Sequence, residues 1–324
     1  MKMLKMKNNI LLIVPAVVLL FAVSLTSCSK DDDNGGGSGS GSASTTIKVT
    51  DAPFDDANVT GAFVTISEIK VDGQTVQGFT KTTVDLAAYQ NGSTSTLGTF
   101  NLEGKNYSNI TFVLDFDTDA TGNAPGSYVL TTGNVKHKLT TTSNTITVAK
   151  NYTLQAGSSN SLVADFDLRK MIVAQAGDPA DQYNFATSAE LQNSVRIVSE
   201  SNASTISGTV TDGVSGSAKV VAYAYKKGTF NRTTEMSGQG ASNIQFANAV
   251  SSDLVSGGSY QLHFLESGEY EVHFASYKDT NADGKLELVG TLVVLTSGEI
   301  NILNLQLGLN ASLTLNATAT AVLP

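Results

Sequence analysis

From Ile47 onward, apolar and polar residues alternate almost one for one, and the three-to-four spacing of an amphipathic helix is nearly absent. Residues 62–71 (A-F-V-T-I-S-E-I-K-V) read as a strand, as do residues 109–116 (N-I-T-F-V-L-D-F). In the second, Ile110, Phe112, Leu114 and Phe116 share one face, because successive side chains of a strand point to opposite sides. Leu162, Ala164, Phe166 and Leu168 repeat that spacing around Asp165 and Asp167. Residues 258–265 and 270–277 alternate on either side of a Gly-containing turn, which predicts a hairpin. Gly/Asn turns such as Gly122-Asn123 recur at short intervals, and only residues 181–192 carry a weak helical spacing. Many short strands between turns predict an all-β chain built as β-sandwiches, not βαβ units. A break in composition at residues 200–203 divides it into a first sandwich, residues 46–200, and a second, residues 204–324.

The pattern ahead of the strands is different in kind. Lys2, Lys5 and Lys7 precede an apolar run over residues 10–23, too short to span a bilayer core and of the length of a signal-peptide core. Leu25-Thr26-Ser27-Cys28 follows and resembles a lipobox: residues 1–27 are expected to be cleaved and Cys28 to carry the lipid. Asp31, Asp32 and Asp33 come next; this acidic cluster resembles the surface-export signal of certain Gram-negative lipoproteins, although three Asp also suit a plain solvated linker. Residues 28–45 continue as a Gly/Ser-rich flexible tether with little to bury, spanning about 20 Å on average. The expected address is the outer membrane, with the chain lipid-anchored and facing the cell exterior.

Composition narrows the chemistry. The chain has 324 residues with a single Cys, at the lipobox, which leaves no disulfide framework and no Cys-ligated zinc within one chain. A net charge of -9 argues against a nucleic-acid partner, since phosphate neutralisation needs a basic surface. No G-x-S-x-G elbow, H-E-x-x-H or Walker-type loop is present. The chain also lacks Trp, the best aromatic platform for stacking on sugars, although Tyr or Phe can substitute.

Two resemblances follow from the motifs. Ile47-Lys48-Val49-Thr50-Asp51-Ala52-Pro53, then Val64-Thr65-Ile66, Val84-Asp85-Leu86 and Leu162-Val163-Ala164-Asp165-Phe166-Asp167 resemble a domain-of-unknown-function family of bacterial surface lipoproteins that opens with V-T-D-A-P. That resemblance implies an exported β-sandwich and no established activity. Ile206-Ser207-Gly208-Thr209-Val210-Thr211-Asp212, with Ser267-Gly268-Glu269-Tyr270-Glu271-Val272, resembles the carboxypeptidase regulatory-like, transthyretin-like sandwich. It implies a seven-stranded accessory module without catalysis of its own.

Three groups of residues are candidates for chemistry. Asp279, Asn281 and Asp283 stand at alternate positions with Gly284 next, like the first half of a calcium loop, and Lys285 (by its carbonyl) and Glu287 complete the candidate Ca²⁺ ligands. The twelfth position, Gly290, lacks the Glu of an EF-hand, so affinity would be weak; a plain β-turn suits the same residues. Asp115 and Asp117 alternate on one strand and Asp165 and Asp167 on another; such acids either decorate an outer, solvated face, the favoured reading, or converge if the strands are neighbours. Of the three His, His137 reads as exposed on a strand. A turn centred on Ser267 would bring His263 near Glu271 and face Gln261 with His273, so no zinc set is assigned.

The leading expectation is a non-catalytic surface lipoprotein that binds or displays an extracellular ligand: a glycan, a matrix protein or another surface protein. A strand near the C-terminus, within residues 302–309 or 313–322, is a candidate for pairing with a partner, although a place as the last strand of the sandwich is preferred. The rival is an envelope hydrolase with two of Asp51, Asp115, Asp117, Asp165 and Asp167 in one pocket. A purely structural spacer is the third.

Overall fold

Alternation becomes strand almost throughout the residues that the computed structural model describes, 41–52, 56, 58–174, 183–217, 219–280, 286–298 and 300–324. The first part carries β1 (Ser42–Ala52), β2 (Val59–Val71), β3 (Gln74–Thr75), β4 (Thr82–Asp85), β5 (Ser95–Glu103), β6 (Asn106–Asp115), β7 (Tyr128–Thr131), β8 (Val135–Lys138), β9 (Thr145–Thr153), β10 (Ser159–Asp167), β11 (Ile172–Ala174), β12 (Tyr183–Phe185) and β13 (Val195–Ser199). The second carries β14 (Ser204–Thr211), β15 (Lys219–Lys226), β16 (Ser251–Leu254), β17 (Ser259–Leu265), β18 (Gly268–Lys278), β19 (Glu287–Thr296), β20 (Leu305–Leu307), β21 (Ser312–Thr314) and β22 (Ala317–Leu323). Among the described residues the α-helices are single turns or little more: α1 (Leu168–Met171), α2 (Ser188–Leu191) and α3 (Arg232–Ser237). None is long and apolar enough to cross a membrane. The chain is all-β.

In the first sandwich a four-stranded sheet, ordered β13-β10-β1-β5, faces a larger one ordered β8-β7-β2-β6-β9, with β3 and β4 also paired to β2. The inward residues of β6 (Ile110, Phe112, Leu114) and of β10 (Leu162, Ala164, Phe166) fill one core. Phe112 meets Phe166 edge to face at 5.3 Å between centroids, joining the two sheets. β1 begins at Ser42, inside the Gly/Ser-rich stretch, because residues 42–45 pair with β5, residues 44–45 pair with β10 as well, and Ala43 and Thr45 are fully buried.

The second sandwich follows the path β16-β15-β18-β19-β22-β14-β17, with β20 on β18 and β21 on β14. That makes nine strands, where the transthyretin-like resemblance implies seven. Its core gathers Ile206, Tyr260, Leu262, Val272 and Phe274. A third cluster, with Val221, Tyr223, Tyr225 and Phe246, covers the opposite face of β15, which is therefore buried on both sides. Gly208 is required where β14 passes the chain before β22: a Cβ there would lie 1.9 Å from the Leu315 carbonyl oxygen.

Several expectations change. The weak helical segment is strand β12 followed by the single turn α2, since the capping box of Thr187 and Glu190 starts a helix that ends within one turn. Residues 258–277 do not form a hairpin. β17 pairs with β14, whereas β18 pairs with β15, β19 and β20, so the chain crosses from one wall to the other at a left-handed Phe264 (φ 53°). Tyr260 and Phe274 consequently meet across the core at 5.2 Å. The preferred place of the C-terminal strand holds: β22 lies between β19 and β14 as the last strand of the sandwich, not an unpaired edge.

Candidate functional site

The acidic residues do not form one cluster. β6 and β10 belong to different sheets, which separates Asp115 and Asp117 from Asp165 and Asp167. Asp115 accepts hydrogen bonds from the backbone N–H groups of Asp117 and Thr118 and pairs with Lys81 at 2.7 Å. Burial alone would raise its pKa, but Lys81 and those N–H groups hold it down at about 2. Asp117 is exposed and pairs with Lys138 at 2.7 Å.

Asp165 and Asp167 are the reverse of the solvated outer face favoured from sequence: they are 7% and 8% exposed. The second sandwich covers that face of β10, and burying carboxylates there requires paired cations. Asp165 pairs with Arg196 of β13, its strand neighbour, at 2.5 Å. Asp167 pairs with Arg169 at 2.7 Å and Lys170 at 3.3 Å, both raised on α1 directly after β10. Burial raises the pKa of Asp165 against the pull of Arg196, and burial lowers that of Lys170 against the pull of Asp167.

Each cation also reaches across to backbone carbonyls of the second sandwich. Arg169 Nη1 donates to Gln245 O at 2.7 Å and Phe246 O at 3.0 Å, while its guanidinium lies 5.3 Å from the Tyr223 ring centroid. Lys170 Nζ donates to Ala249 O at 2.6 Å. Arg196 donates to His263 O at 3.1 Å and to Phe264 O. Glu190 makes the converse bridge from α2, accepting from Ser242 N at 2.9 Å and from the Ser242 hydroxyl. Although burial opposes it, hydrogen bonds from Ser242 and Thr187 hold Glu190 at about 2.

These groups frame a cavity of about 510 Å³ between the sandwiches, lined among others by Asp165, Asp167, Lys170, Glu190, Arg196 and Asn248. Two of the five acids expected of a hydrolase are thus in one pocket. Each already holds a cation, and that cation is engaged by carbonyls of the second sandwich as well. Asp51 is 5% exposed; Leu168 N–H donates to its Oδ1 at 3.1 Å and its Oδ2 has no hydrogen-bond partner. Burial, with Asp167, Asp165 and Asp85 nearby, pushes its pKa well up despite the Leu168 N–H. It lines a separate void of about 10 Å³ with Ser252 and His263, room for about one water and not for a substrate.

The histidines stand apart. His263 sits at this junction and its pKa is lowered by burial, against the charge of Asp165. The crossover between β17 and β18 removes the arrangement that would have placed it by Glu271. Glu271 pairs with His273 at 3.3 Å and accepts from Phe230 N instead. Phe230 stacks on His273 at 3.7 Å. His137 is half-buried, 3.0 Å from the Thr131 hydroxyl and edge-on to Tyr183. Among the described residues no three His, Cys, Asp or Glu come together as metal ligands. Of the candidate calcium loop, Asn281, Asp283 and Lys285 lie outside the described residues, as does Cys28. Glu287 Oε2 accepts from the N–H and hydroxyl of Thr280 at 2.7 and 2.8 Å.

Residues 42–186 match a family model described as a domain of unknown function (DUF4382). The four-stranded sheet of that region is completed outside it, by β13. No curated protein matches the chain. Among solved structures it is similar to the Bacillus anthracis TIE protein (10% identity, 86% of this chain and 34% of that one, TM-score 0.19). It is also similar to a streptococcal ancillary pilin (7%, 87% and 70%, 0.19) and to the fimbrial anchor protein Mfa2 from Porphyromonas gingivalis (10%, 85% and 90%, 0.18). The chain spans about a third of the length of the first of these.

Proposed function

We propose that this chain is a non-catalytic lipoprotein of the outer membrane, anchored through Cys28, facing the cell exterior and presenting two fastened sandwiches for binding an extracellular ligand. One observation carries the non-catalytic part: Asp165 is paired with Arg196 and Asp167 with Arg169 and Lys170, and these three cations also donate to carbonyls of the facing sandwich. Charges used this way hold two bodies in register and leave no free acid–base pair. The lipobox and acidic tether support the address, and the absence of a basic excess speaks against nucleic acid. Membrane attachment is through the lipid, and the loop with Asp279 and Glu287 remains the candidate calcium site.

The address is tested by shaving intact producing cells with protease and fractionating them. The wild-type chain should sit in the outer-membrane fraction and be degraded, whereas Cys28→Ser should leave that fraction. Protection of the wild-type chain in intact cells, or identical fractionation of both, would overturn the surface reading. Hydrolytic turnover that disappears in Asp165→Asn would overturn the non-catalytic one.

A further inference from the structure

We infer that the cavity between the sandwiches binds a small neutral carbohydrate of one or two rings. The inference deepens the reading of the chain as an exposed binding module and rests on it. At about 510 Å³ the cavity lies within the range of small-ligand pockets, about 300–1,000 Å³.

The wall's charges decide the class of ligand. Asp165 is paired with Arg196, Asp167 with Lys170, and Glu190 is held by Thr187 and Ser242. An ionic ligand would compete with these pairs, and drawing one charge away leaves its partner to bear the desolvation cost. A neutral ligand has no such competitor.

The uncommitted hydrogen-bonding capacity is one carboxylate oxygen, Asp167 Oδ1, which has no hydrogen-bond partner and can accept from a hydroxyl, and side-chain amide. The Asn193 side chain makes no hydrogen bond among the described residues. Asn248 gives its Nδ2 hydrogens to Glu235 Oε1 at 2.5 Å and Gln239 Oε1 at 3.2 Å, which leaves its Oδ1 as an acceptor at the cavity. Glu235 is fully buried and also accepts from Tyr225 OH at 3.0 Å and Gln239 Nε2 at 3.0 Å. It is a positioning residue that fixes the Asn248 and Gln239 amides. The Asn248 amide, held in place, and the free Asn193 amide beside it suit adjacent sugar hydroxyls, which both donate and accept. Val195, Ile244 and Val250 supply an apolar side for the C–H face of a ring.

The backbone of that wall is held in unusual conformations. Asn243 and Phe246 both adopt positive φ, 51° each, within eight residues of the left-handed Gly238 and Gly240. A bulky residue there is an outlier that surrounding structure must enforce. Phe246 is kept by stacking on Tyr223 at 4.3 Å and by the Arg169 hydrogen bond to its carbonyl.

The test uses the full chain in detergent and, as probes, glucose, galactose, mannose, N-acetylglucosamine and their β-linked disaccharides at millimolar concentration, read by saturation-transfer NMR and calorimetry. At least one should bind, with the corresponding uronic acid at least tenfold weaker. Ala247→Trp, which fills the cavity from a half-buried position, should weaken binding at least tenfold. Asn193→Ala should weaken it severalfold with the melting temperature unchanged, and decides the matter should Ala247→Trp fail to fold. No binding by any probe, or binding unchanged in the variants, would overturn the inference. Protease shaving is indifferent to sugar binding, so failure here with surface exposure intact sinks only this assignment.

Discussion

Truncating Arg169 to alanine removes a group that pairs with Asp167 within the first sandwich and ties α1 to the second. It takes away the 2.7 Å pair with Asp167, both hydrogen bonds to the Gln245 and Phe246 carbonyls, and the cation over Tyr223. The Arg169 and Asp167 side chains are 12% and 11% exposed, so solvent screening discounts little of this. Removing one partner of a buried ion pair costs about 3–5 kcal/mol, because the other charge stays buried. Lys170 remains 3.3 Å from Asp167 and compensates in part, which places the expected loss near the lower end, about 3 kcal/mol. Urea unfolding of wild type and variant, followed by far-UV circular dichroism and tyrosine fluorescence, reads the difference. Asp117→Ala, which breaks only the exposed pair with Lys138, should leave the midpoint nearly unchanged. A loss below about 1 kcal/mol in Arg169→Ala would refute the claim that these cations fasten the sandwiches.

Further consequences follow from the same geometry. The pKa of Asp51 is raised in the folded chain, so the native state holds its proton more tightly than the unfolded chain does. Stability should then fall as pH rises from about 4 through the folded pKa, and Asp51→Asn should flatten that fall and stabilise at pH 7, as read by melting against pH. Glu190 has the opposite sign: its contribution should be present above about 4.3 and fade as pH falls toward 2, and Glu190→Gln should remove that acid-side loss. Gly208→Ala should destabilise markedly, since its Cβ would lie 1.9 Å from Leu315 O; an unchanged melting temperature would refute the close approach of β14 to the chain before β22. If the Asp279–Glu287 loop takes Ca²⁺, calorimetry should give a Kd on the order of 10⁻⁴–10⁻³ M that weakens in Asp279→Asn.

What was legible in the sequence is what a period of two encodes. Ile110, Phe112 and Leu114 point inward as read, and so do Leu162, Ala164 and Phe166, because alternation specifies which face of a strand is apolar. It does not specify what covers the other face. Asp165 and Asp167 look like surface charges until a second body is laid on them. Arg169 and Lys170, two and three residues beyond Asp167, were within local reach of it; Arg196 was not, since its pairing with Asp165 depends on β13 returning beside β10. The hairpin failed for a related reason. Two alternating strands joined through a turn suggest mutual pairing, but the inward residues of β17 and β18 meet through the core, and a left-handed Phe264 accompanies the crossing. The Glu235 network was invisible, because a buried Glu reads in sequence like any exposed one.

The place of β1 has a mechanical meaning. The chain enters the sheet at Ser42, on a strand flanked by β10 in parallel register from Ser44 to Ala52 and by β5 on the other side. A pull on the N-terminal side therefore loads β1 along its axis, and its hydrogen bonds to both neighbours resist together in shear instead of opening one at a time like a zip. In the proposed lipid-anchored chain, drag would be borne by a middle strand, whereas an edge strand could be peeled away.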